Sequence, residues 1–112
     1  ALKQHFQAGF DLNAKIVDGY YTDWTAAHYA AHYGQAAALQ FLHEAGANLN
    51  VTENSGATPA LLAAAQGKAE ALEALAKAGA DLQKPESEMG WTPAHAAAYH
   101  GHVDELRVLI QA

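Results

Sequence analysis

Three stretches of this chain, residues 35–45, 68–78 and 102–111, carry apolar side chains at helical spacing, among them Leu39, Phe41 and Leu42 in the first and Leu106, Leu109 and Ile110 in the last. Steps of three and four residues put such side chains on one face of a helix. Each stretch follows a shorter, Ala-rich run that opens on Thr and closes on Gly. Thr58 and Thr92 are good N-cap residues, because a Thr hydroxyl accepts from an N–H that the first turn leaves unpaired. Pro59 and Pro93 come next, at the first helical position, where the missing N–H costs nothing. Gly34, Gly67 and Gly101 supply the left-handed conformation that ends a helix. The pattern predicts a short helix, a Gly stop and a second amphipathic helix, three times over. Small Ala side chains in the short helices let the two layers approach closely. There is no convincing strand.

The runs are copies of one phrase: Thr25-Ala-Ala-His-Tyr-Ala-Ala-His-Tyr-Gly34, Thr58-Pro-Ala-Leu-Leu-Ala-Ala-Ala-Gln-Gly67 and Thr92-Pro-Ala-His-Ala-Ala-Ala-Tyr-His-Gly101, with Thr-to-Thr steps of 33 and 34. A second phrase recurs in the same register, Gly9-Phe-Asp-Leu-Asn13, Gly46-Ala-Asn-Leu-Asn50 and Gly79-Ala-Asp-Leu-Gln83. A period of this length marks a stacked repeat protein, in which no unit buries its apolar face alone.

These residues resemble the ankyrin repeat, whose pattern runs Gly-x-Thr-Pro-Leu-His-x-Ala-Ala-x-x-Gly-His, a second helix, then Gly-Ala-Asp-x-Asn. The resemblance spans nearly the whole chain and implies one all-α solenoid over residues 1–112, with hairpin-like loops between helical pairs. Its units are expected at 23–54, 55–87 and 88–112, after residues 1–22, which hold a partial first unit (1–13) and a long loop. Departures are Ala26 in place of Pro, Ala27, Ala60 and Ala94 in place of Leu, Leu61 in place of His, and Asp23 where the hairpin has Gly. Both ends read as cut: Ala1 enters in mid-unit, and Leu2 and Phe6 are expected to need cover. Glu105 stands where the family has an aliphatic residue facing the next unit, which hints at a C-terminal cap.

With 112 residues, half of them hydrophobic, the chain has room for one domain. No run is apolar and long enough for a membrane span, and no secretory leader is visible. Zero cysteines removes disulfides, thiolate chemistry and Cys-based zinc sites, and fits a reducing cytoplasm. A formal charge of −6 with six Lys and Arg argues against nucleic acid, whose backbone demands clustered cations.

The resemblance implies that partners are held on the concave face of the first helices and on the loop tips. By position these are Trp24, Tyr29, His32 and Tyr33, then Ala57, Leu62, Ala65 and Gln66, then Met89, Trp91, Tyr99 and His100. Both Trp and every Tyr fall on this face or its tips, counting Tyr20 and Tyr21, whereas Phe6, Phe10 and Phe41 lie in or beside the second helices. Core demand alone gives no reason for that segregation, and amphipathic aromatic residues are favoured in binding hot spots. The expectation is two aromatic walls with a small-residue unit between them, taking an extended peptide or a helix, with Trp24, Tyr29, Tyr33, Trp91 and Tyr99 as anchors. The first tip, within residues 15–23, is about four residues longer than the others, since Gly9 to Gly46 spans 37 against 33 for Gly46 to Gly79. It either adds contacts or packs on the half unit. The tip at 84–89 carries two acids, which either favour a basic partner or are simply solvated.

His28 and His32 stand one helical turn apart, as in some zinc sites, but Tyr29 occupies the place of the Glu that a zinc protease needs. The resemblance gives His28, His95 and His102 structural places; in it the imidazoles of His28 and His95 bond the Thr of the same turn and neighbouring loop backbone. His32 and His100 lie two units apart and cannot share a metal, and His5 and His43 have no assignment. No catalytic arrangement emerges: Ser occurs only at Ser55 and Ser87, and no phosphate cradle follows a strand. The reading is a non-enzymatic protein-interaction module with no cofactor and no metal. Its alternatives are a targeting or scaffold segment of a larger enzyme or secreted bacterial effector, a spacer, and a small-ligand site between the aromatic walls.

Overall fold

The computed structural model describes residues 11–16 and 23–112. Of the partial unit expected at 1–13, residues 1–10, which include Leu2, His5, Phe6 and Phe10, lie outside the described residues, as do Tyr20 and Tyr21. Within them stand six helices: α1 (Ala26–His32), α2 (Ala36–Glu44), α3 (Pro59–Ala65), α4 (Ala69–Lys77), α5 (Pro93–Tyr99) and α6 (Val103–Gln111). The odd-numbered helices have seven residues and the even-numbered ones nine. The only bridge among the described residues is an isolated antiparallel one between Ile16 and Trp24.

Each short helix begins as its residues dictate. Thr25, Thr58 and Thr92 are extended, and their hydroxyls accept from the N–H of His28, Leu61 and His95. Each ends at a left-handed Gly, at 34, 67 and 101. Gly67 is needed for space as well as conformation: a Cβ there would lie 2.9 Å from Cε1 of His102. The chain then reverses into the longer helix.

Packing follows from side-chain size. α1, α3 and α5 form one layer and α2, α4 and α6 the other, each helix touching its counterpart in the next unit. Ala31, Ala63, Ala64 and Ala97 are fully buried, as are Leu39, Leu72 and Leu75 of the longer helices. Leu106 and Leu109 of α6 are only partly buried against this core.

Two sets of polar contacts bind the units where the core does not. Asp11, Asn48 and Asp81 accept from the N–H two residues on, closing a tight turn after the second helix. The second Asn of the phrase reaches forward: Asn13 Oδ1 accepts from Asn48 N–H at 2.8 Å, and Asn50 Oδ1 from Asp81 N–H at 2.7 Å. At the tips, Ile16, Glu53 and Glu86 donate their N–H to the carbonyls of Trp24, Ala57 and Trp91. Ser87 donates both its N–H and its hydroxyl to the Ser55 carbonyl. This close approach requires Gly56, where a Cβ would come within 2.7 Å of the Ser87 nitrogen. Asp23, in the place of Gly56 and Gly90, adopts their left-handed conformation with φ 67°.

Glu105 corrects the sequence reading. It does not face outward toward a further unit; it is 4% exposed, in the position that Ala71 holds in α4.

Candidate functional site

The three short helices put equivalent residues side by side. Trp24, Ala57 and Trp91 each precede the capping Thr, while His32, Ala65 and Tyr99 each close a helix, followed by Tyr33, Gln66 and His100. In the outer two units the first two positions touch: the rings of Trp24 and His32 are 5.1 Å apart and those of Trp91 and Tyr99 5.0 Å apart. The middle unit has two Ala there. Aromatic chains continue outward from His32 to Tyr33 and from Tyr99 to His100, edge to face at 4.7 and 5.1 Å.

Exposure differs within this set. Tyr33, Tyr99 and Met89 are 53%, 73% and 73% exposed, Gln66 and His100 are open to solvent, and Tyr29, His32, Leu62 and Trp91 are half-buried. Trp24 departs from the expectation, being 4% exposed. Tyr29 packs edge-on against Trp24 at 5.0 Å, and the Trp24 side chain donates to the carboxylate of Glu53 in the next tip. Trp24 supports the face from beneath and presents almost no surface of its own. Of the expected anchors, Tyr33, Trp91 and Tyr99 reach solvent, whereas Tyr29 is largely engaged with Trp24.

The small middle unit leaves a notch of about 180 Å³ beside the third tip. Leu61, Ala65 and Ala96 form its floor, Trp91 and Met89 its wall, and Glu86 and His100 its rim. Leu61 and Ala96 were absent from the residues picked out in the sequence, although the replacement of His by Leu61 was the signal. A larger hollow of about 650 Å³ lies elsewhere, against Thr92, Ala94, Leu106 and Leu109. Their counterparts Thr58, Ala60, Leu72 and Leu75 are buried where the second unit meets the third, so this hollow is the third unit's equivalent of that junction and lies off the face of the short helices.

The tip acids are structural as well as charged. Glu53 accepts from the N–H and hydroxyl of Ser55 and from the N–H of Ala57. Burial pushes its carboxyl upward, but these bonds and that from Trp24 outweigh it and hold the group below the usual range. Glu86 accepts from the N–H of Trp91, Glu88 and Met89. The Trp91 N–H leads in holding that carboxyl low, against a small desolvation. A Glu at the start of both tips was the legible sign of this role.

The imidazoles act as expected of structural residues. Nδ1 of His28 accepts from Thr25 N–H at 3.0 Å, leaving the proton on Nε2, which donates to the Ala57 carbonyl at 3.1 Å. Burial holds His28 below its ordinary pKa. His95 repeats the bond to its own Thr, and His102 Nε2 donates to the Ala65 carbonyl at 3.2 Å. Burial, with Lys68 nearby, also lowers His32.

With this geometry in view, the family comparison is direct. A model of ankyrin repeats in three copies matches residues 1–86, and a model of a single ankyrin repeat matches residues 89–112. The chain belongs to the ankyrin repeat family. Domains of this family generally bind other proteins and are typically non-catalytic.

Proposed function

We propose that this domain holds a partner protein or peptide across the face made by α1, α3, α5 and their tips. The observation that carries the reading is the exposure of Tyr33, Met89 and Tyr99 on one side of the molecule, at 53%, 73% and 73%. Large amphipathic or polarisable side chains left in water at one face are suited to a desolvated interface. Trp91 and Leu62 add apolar area, and His32, Gln66 and His100 offer polar contacts. Trp24 keeps His32 and Tyr29 in place. The net charge of −6 favours a protein over nucleic acid or an anionic membrane surface. A cytoplasmic location, in a host cell where the parent chain is a secreted effector, belongs to the same proposal.

Affinity capture from cell lysate tests it, with the wild type, a Tyr33→Ala/Tyr99→Ala variant and a Phe41→Ala control on the opposite layer. The expected result is a protein retained by the wild type and the control but lost by the double variant. Equal retention by all three would overturn the reading.

A further inference from the structure

We propose that the notch beside Trp91 receives one apolar side chain of the partner, and that a Lys or Arg adjacent to it in the partner's sequence pairs with the acidic tip at Glu86 and Glu88. This inference rests on the reading that the face binds a partner chain, and it names the local chemistry of that chain.

The notch exists because of three residue choices in the middle unit. Ala57 and Ala65 replace the aromatic pair that fills the equivalent space in the first and third units. Leu61 replaces the imidazole that stands at 28 and 95, so the floor carries no polar atom of a side chain. With Ala96 opposite and the exposed Met89 as a flexible flank, the walls are apolar and adaptable. At about 180 Å³ the space is below the roughly 300–1,000 Å³ of sites that enclose a whole small molecule. It suits a single aliphatic or aromatic side chain delivered by a chain that lies across the face.

The charge beside it is fixed in place. Glu86 is tied by three backbone N–H groups, yet its carboxylate remains open at the rim. A partner cation meets a carboxylate whose rotamer is already set, so pairing costs little additional ordering. Glu88 follows on the same tip, exposed, with no hydrogen bond or ion pair to its carboxylate among the described residues. Lys84 is the single cation of this tip, and the chain as a whole carries −6.

The test is selection of random linear peptides displayed on phage against the full chain, followed by fluorescence anisotropy of the enriched peptide, made synthetically. The expected consensus is a large apolar residue within two positions of Lys or Arg. Ala65→Tyr, a residue type already found at the equivalent position 99, is expected to fill the notch and weaken binding about tenfold or more. Glu88→Lys is expected to weaken it several-fold, an effect that shrinks at about 0.5 M salt as the charges are screened. Met89→Ala, on an exposed side chain, removes the flank without touching the core and serves where Ala65→Tyr fails to fold. No enrichment, a consensus lacking the apolar and basic pair, or full affinity for the notch variants would overturn the inference. Peptides lost by Tyr33→Ala/Tyr99→Ala but retained by Ala65→Tyr and Met89→Ala would remove the notch and leave the wider face standing.

Discussion

The imidazole of His28 bridges two repeats, accepting from Thr25 N–H in its own unit and donating from Nε2 to the Ala57 carbonyl, 3.1 Å away in the next. Because burial depresses its folded pKa below 6.5, the unfolded chain takes up a proton in the interval between those two values and the folded chain does not. Stability is therefore complete above pH 6.5 and declines as pH falls through that interval. His32 is shifted in the same direction by burial and Lys68. The urea midpoint is expected to drop between about pH 7.5 and about pH 5.5, the range in which His titrates. An unchanged midpoint would contradict the account.

Asp23 holds the left-handed conformation that Gly56 and Gly90 adopt in the other tips. That conformation costs a side-chain-bearing residue about 1–2 kcal/mol, while Gly gives up about 0.5–1 kcal/mol through its freer unfolded chain. Asp23→Gly is expected to stabilise by up to about 1 kcal/mol, seen as a higher thermal midpoint.

Asn50 closes the outer edge between the first and second full units by accepting from Asp81 N–H. Asn50→Ala leaves that donor to water at an exposed site, so a loss of about 1 kcal/mol in chemical denaturation is expected. A loss above about 3 kcal/mol would show that the contact does more than this.

Glu105 lies buried with no hydrogen bond or ion pair among the described residues, where α4 carries Ala71. Its carboxylate reaches water only through a small opening, and restricting the hydration of a charged group is unfavourable. Glu105→Ala is expected to raise stability by about 1 kcal/mol, and a fall in the urea midpoint would refute the argument.

Much of the fold was legible because its signals are local. The Thr caps, the Pro residues after them and the Gly stops act within a few residues, and their regular recurrence identifies the stack. Exposure was harder to read, since Trp24 and Trp91 occupy the same register. Trp24 has Tyr29 against it and Glu53 of the following tip bonded to it, whereas Trp91 has Ala96 in the place of Tyr29. Sequence period gives a side chain its direction, and the neighbouring unit decides whether it is covered. The same limit hid the notch, which arises from three small or apolar residues viewed against the unit beside them.

The inter-unit bonds converge on the middle repeat from both directions. His28 reaches forward to Ala57 and His102 reaches back to Ala65, while within that repeat Ser87 ties the third tip to Ser55 of the second. In a one-dimensional stack, where each unit depends on its neighbours, this makes the middle repeat the last to open. Deuterium exchange should spread inward from the outer units, with the amides of α3 exchanging slowest. Leu61 and Ala65, two of the three floor residues beside Trp91, belong to that repeat, so a partner seated there is expected to meet a surface already arranged before it arrives.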